Sequence, residues 1–107
     1  MISVERKEDA TVDKAMNLAY EEIKQQAPKA KLTFIEKDEN SEYPSIIFSI
    51  ESPRFINDRM PESQLWYIII GKQRLYTNFR AIKMAEISIE QKENWIKFFK
   101  NIKFKNE

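Results

Sequence analysis

The chain has no cysteine, no histidine and a single glycine among its 107 residues. Without cysteine, disulfides, thiolate nucleophiles and thiolate-held zinc or iron–sulfur centres are excluded. Without histidine, the commonest metal ligand, the usual general base near neutral pH and every imidazole-dependent triad are excluded too. Any catalysis would rest on carboxylates, lysine or tyrosine, and a solitary glycine cannot build a phosphate-cradling loop. No run approaches the roughly 18 apolar residues of a membrane span, and the opening "MISVERKEDA" lacks the apolar centre of a signal peptide. A location in the cell envelope would therefore need a signal or lipidated leader upstream of this segment.

An apolar fraction of 42% is too high for a disordered chain. At this length one core suffices, burying roughly 60–70% of the unfolded surface, so residues 1–107 are expected to form one domain. The net charge of +1 hides an imbalance: residues 1–51 carry 7 basic and 11 acidic side chains, residues 52–107 carry 11 and 6. Either the basic half meets an anionic partner or the two halves attract each other within the fold.

Along the chain, "ISVER" alternates apolar and polar residues and reads as a short edge strand. Val12, Ala15, Met16, Ala19, Tyr20, Ile23 and Ala27 then recur at helical spacing, with Thr11 as N-cap and Pro28 as stop. "KLTFIEKD" (31–38) and "SIIFSIES" (45–52) read as strands joined by an acidic loop. The stretch "ESQLWYIIIGKQRLYTNFRAIK" (62–83) reads as a long hairpin. A type II′ turn with Gly71 and Lys72 at its centre pairs Ile70 with Gln73, Ile68 with Leu75 and Tyr67 with Tyr76. That register places Trp66, Ile68, Ile70, Leu75, Thr77, Phe79 and Ala81 on one face and Tyr67, Ile69, Arg74, Tyr76, Asn78 and Arg80 on the other. A four-residue loop preserves this sorting, whereas a three-residue loop scrambles it. Ser88 with Gln91 forms a capping box ahead of Trp95, Phe98, Phe99 and Ile102 at helical spacing. The expected fold is α+β: a mainly antiparallel sheet of four to five strands with an N-terminal and a C-terminal helix packed on it, one per face in the simplest packing, or with one sheet face paired with a second subunit as the alternative.

Four stretches invite a functional reading. "DENSE" (38–42) resembles the start of a calcium loop, but Tyr43 stands where glycine is required and Ser49 where the closing glutamate belongs, so no metal or cofactor is expected. "WIKFFKNIKFK" mixes aromatics with Lys97, Lys100, Lys103 and Lys105, a pattern of membrane-surface or nucleic-acid segments; an apolar stripe covering the sheet accounts for it better, and neither nucleic acid nor a membrane span is expected. "SPRFINDRMPES" (52–63) is too long for a hairpin loop and interleaves apolar with cationic residues. Arg54, Phe55, Arg59 and Met60 are the leading candidate surface for a protein partner; alternatively Phe55 and Ile56 plug one end of the core. Tyr67, Tyr76, Asn78 and Arg80 are the second candidate surface, beside a small-molecule pocket, although cross-strand aromatic pairs stabilise sheets without any ligand.

"DATVDKAMNLAYEEIKQQ", "ESQLWYIIIGKQRLYTNFRAIK" and "WIKFFKNIKF" together resemble the early helix, long hairpin and closing helix of the PsbP/Mog/DcrB-like superfamily. That superfamily includes extrinsic photosystem II proteins, a Ran-binding nuclear-import factor and bacterial envelope lipoproteins. The resemblance implies an antiparallel sheet flanked by helices and a non-enzymatic binding role, and it transfers no individual residue. The expected function is thus that of a soluble, non-enzymatic domain, monomeric or homodimeric, that binds another protein, with a small-molecule carrier as the alternative.

Overall fold

The computed structural model describes residues 2–6, 8–56 and 60–102. Five strands, β1 (Ile2–Glu5), β2 (Lys31–Asp38), β3 (Ser45–Ser52), β4 (Glu62–Ile70) and β5 (Arg74–Ile82), form one antiparallel sheet in the order β1-β5-β4-β3-β2. Helix α1 (Val12–Gln26) packs on one face and α2 (Ile89–Lys100) on the other, as an α+β fold with a doubly covered sheet requires.

Both helices begin where a side-chain oxygen replaces a missing carbonyl partner. The Thr11 hydroxyl accepts from the Lys14 N–H at 3.1 Å, and the Ser88 hydroxyl accepts from Gln91 N–H at 3.1 Å. Helix α1 ends at Ala27, and the Ile56 N–H donates to the Gln26 carbonyl at 2.8 Å, tying the loop after β3 to the helix end. Lys37 bridges to Asp13 at 3.0 Å, linking β2 to the first turn of α1.

The alternation of β3 fixes both cores. Ile46, Phe48 and Ile50 join Val12, Ala19, Ile68 and Ile70 under α1, whereas Ile47 joins Leu65, Ile87 and Phe99 under α2. A bulge between Phe34 and Glu36 breaks the alternation of β2; Phe34 remains opposite Phe48, while Ile35 packs with the second core. Phe34, Phe48, Trp66 and Phe79 are successive cross-strand partners, so an aromatic row crosses four strands on the α1 face.

The hairpin register differs from the expected one by two residues. Ile70 faces Leu75, Ile68 faces Thr77, Tyr67 faces Asn78 and Trp66 faces Phe79. The reason lies in β1. The Arg6 N–H donates to the Gln73 carbonyl at 2.9 Å and the Arg6 guanidinium to the Gly71 carbonyl at 2.8 Å, while the Gly71 N–H bonds the Arg74 carbonyl at 2.8 Å. The turn is therefore centred on Lys72 and Gln73, and contacts to a segment 65 residues away hold it. Because the shift is even, every side chain keeps its expected face.

The two sheet edges are protected differently. β2 carries Lys31, Glu36, Lys37 and Asp38 together with the bulge. β1 has only four residues. Its bond from Arg6 to Gln73 places the backbone groups of Val4 and Ile2 toward β5 and those of Ser3 and Glu5 outward. Arg74 then donates to both the Ser3 hydroxyl and the Ser3 carbonyl, each at 3.1 Å.

Candidate functional site

Helix α1 packs mainly on β3 and β4, so that on the same face β5 is only partly covered, with Leu75 against the α1 core, and β1 is exposed. The result is an apolar groove of about 530 Å³. Its helix wall is the stripe Lys14, Leu18 and Glu22, spaced four residues apart. Val4 forms the strand wall, and Trp66, Ile68, Leu75 and Thr77 form the floor. Leu18 is 62% exposed and Val4 51%, values that mark an apolar surface rather than a closed core.

The two ends of the groove differ chemically. At the end near the β4–β5 turn, Lys14 pairs with Asp9 at 3.1 Å and Arg6 is engaged by the Gly71 carbonyl. At the other end the Trp66 ring stacks between Phe48 and Phe79, with centroids 5.8 and 5.2 Å away. The Trp66 Nε1–H donates to Gln64 Oε1 at 2.9 Å, Gln64 in turn donates to Glu62, and Lys83 bonds the other oxygen of Glu62. Glu22 borders both this groove and a polar pocket of about 230 Å³ that also involves Gln64, Glu62 and Ser52.

The residues singled out from the sequence lie elsewhere. Arg54 and Met60 are exposed, Arg59 falls outside the described residues, and Phe55 is buried, 4% exposed, in the α1 core. Of the proposed core plug, Phe55 folds inward while Ile56 stays 68% exposed. Pro28, Lys29, Arg54, Phe55 and Ile56 border a third groove of about 260 Å³. On the α2 face, Tyr67 is half-buried against Phe99, with centroids 5.5 Å apart, and Tyr76 and Asn78 are half-buried. Tyr67 and Tyr76 share that face without being direct partners, because Tyr76 pairs with Ile69. Arg80 is exposed and its guanidinium stacks over Phe98 at 4.2 Å. Burial pushes the Tyr67 phenol above its ordinary pKa; a hydrogen bond with Ser45 opposes this, and the nearby Asp38 and Glu36 carboxylates add to it.

Among the described residues no three acidic side chains converge to hold a metal ion. Asp38 instead accepts from the backbone N–H groups of Asn40 and Ser41, at 3.0 and 3.2 Å, in an ordinary side-chain-stabilised turn. The groove supplies apolar contact, an aromatic floor and a carboxylate, which is binding chemistry.

Sequence reasoning missed Leu18, Val4 and Glu22, and placed Trp66 only as one member of the apolar hairpin face. Leu18 was the available signal, as a large apolar residue outside the buried stripe of α1. No protein-family model, no curated protein and no solved structure matches the chain, so what is established of it is the α+β architecture.

Proposed function

We propose that the chain is a non-enzymatic binding domain and that the groove between α1 and the β1–β5 edge is its site. The observation that carries this reading is the exposure of Leu18 and Val4 on two walls above a floor containing Trp66. Leaving both in water forgoes roughly 1.5–3 kcal/mol for each fully buried aliphatic side chain, and a bound apolar group recovers part of it. The volume of about 530 Å³ falls in the usual range for small-ligand sites. The likeness of the helix, hairpin and tail to the PsbP/Mog/DcrB-like superfamily supports a binding role of the same broad class.

Titration with the neutral fluorophore Nile red tests the site. The wild-type chain should enhance its emission saturably, and Leu18→Lys should weaken binding at least about tenfold, the cost of placing a charge against an apolar ligand. Its melting temperature should stay within a few degrees, because Leu18 is exposed. Equal binding by the variant sinks the groove as the site. The role then passes to the Arg54 surface, where Lys29 and Arg54 make no ion pair with a described residue and Ile56 and Met60 are exposed.

A further inference from the structure

We infer that Gln64 is a positioning residue for this groove: it fixes which edge of the Trp66 indole lines the floor, and Glu62 and Lys83 in turn fix Gln64. The inference rests on the groove being the binding site and adds how its floor is held. Glu62, Gln64 and Trp66 occupy alternate positions of β4 and so share the α1 face with Ile68. Trp66 and Ile68 line the groove, whereas Glu62 and Gln64 lie beyond it, in the polar pocket. Gln64 therefore acts on the groove through the indole.

Both faces of that indole are already engaged. Phe48 and Phe79 stack on it with centroids 5.8 and 5.2 Å away and ring planes tilted 12° and 22° from its own. What the groove receives is the edge of the ring. A flat ring held on both faces keeps two orientations, related by a half-turn about its bond to Cβ. In the one observed, Nε1–H points along the strand to Gln64 Oε1 at 2.9 Å, which leaves the benzene edge on the side of Ile68. The half-turn would send the polar N–H toward Ile68 and into the apolar groove.

The direction of this chain of bonds follows from its donors and acceptors. The indole only donates, an ionised carboxylate only accepts, and a side-chain amide has one end of each kind. Lys83 takes Oε1 of Glu62 and the Gln64 Nε2–H takes Oε2, each at 2.5 Å, so the amide oxygen is the end left for Trp66. Without an acceptor at position 62 the amide is free to turn over and set its NH2 group against the indole N–H, donor against donor. The indole then loses the bond that selects its orientation.

The indole N–H resonance of Trp66, assigned by its loss in Trp66→Phe, reads this orientation directly in the intact chain, with Trp95 as the internal reference. Gln64→Leu should speed exchange of that proton with water relative to the β4 backbone amides and weaken Nile red binding, each by roughly two- to tenfold, the worth of one hydrogen bond. Glu62→Leu should act in the same direction, and Glu62→Gln, which restores an acceptor for the amide, should recover most of both. Far-UV circular dichroism would verify that each variant keeps the fold. Unchanged exchange in Gln64→Leu overturns the inference. So does faster exchange with unchanged Nile red affinity, which would make these bonds structural only, or an equal effect of Glu62→Gln and Glu62→Leu. In those cases, Nile red binding that Leu18→Lys weakens would leave the groove itself standing. If Nile red does not bind the wild-type chain, the groove and the inference fall together.

Discussion

Tyr67 joins burial, hydrogen bonding and titration in one residue. Its ring packs against Phe99 under α2 and its hydroxyl bonds Ser45, and burial is the main reason its pKa lies above the ordinary value of 10.0. The sign follows from proton linkage. The folded chain holds this proton more tightly than the unfolded chain, so the stability Tyr67 contributes is whole below about pH 10 and is lost as pH rises from the unfolded value to the higher folded one. Urea unfolding at pH 9 to 11.5 should therefore show an alkaline loss of stability that is smaller in Tyr67→Phe. An identical loss in both chains would mean that other groups carry it. Trp66 shows the limit of reading residues one at a time: its apolar neighbours announced a core position, and its cross-strand partners Phe48 and Phe79 agree. It is nonetheless only partly buried, because α1 packs mainly on β3 and β4, a tertiary placement that no local pattern records.

The elements themselves were largely legible. Apolar period and caps located both helices, and alternation located the strands and sorted their faces. The β4–β5 pairing was not legible, since a two-residue turn at Gly71 and Lys72 satisfied every local rule. The turn moved because β1 returns across it: Arg6 bonds Gln73 and Gly71 together. Local preference decides a hairpin only when no third segment holds its loop. Arg6→Ala should accordingly raise amide exchange in β1 and at Gly71–Arg74, with a stability loss of about 1.5–3 kcal/mol from the charged hydrogen bond. Exchange in the centre of β3 should rise only in proportion to the global loss. Uniform acceleration across the sheet would contradict the view of β1 and the turn as one separable unit.

At the scale of the molecule, the charge imbalance between the halves has a partial internal answer. Glu36 of β2 pairs with Lys100 of α2 at 3.0 Å, and Glu42 pairs with Lys72 at 3.4 Å, each joining the acidic half to the basic one. These pairs are exposed and individually worth little, so the doubly covered sheet rests on its two apolar layers. That arrangement follows from strands apolar on both sides and two amphipathic helices to cover them. The groove is the remainder: a helix about 10–12 Å across lying along strands spaced about 4.8 Å apart covers two or three of them and cannot roof all five.

The guanidinium of Arg74 over the Ser3 carbonyl gives β1 a further property, that of a chain terminator. It occupies an outward acceptor that a second molecule would need in order to lengthen the sheet. Arg74→Ala should leave the isolated fold nearly intact yet make the protein self-associate with rising concentration, visible as growth in scattering mass and slowed by Val4→Lys on the same strand. Protection of this edge would then rest on one side chain lying across it.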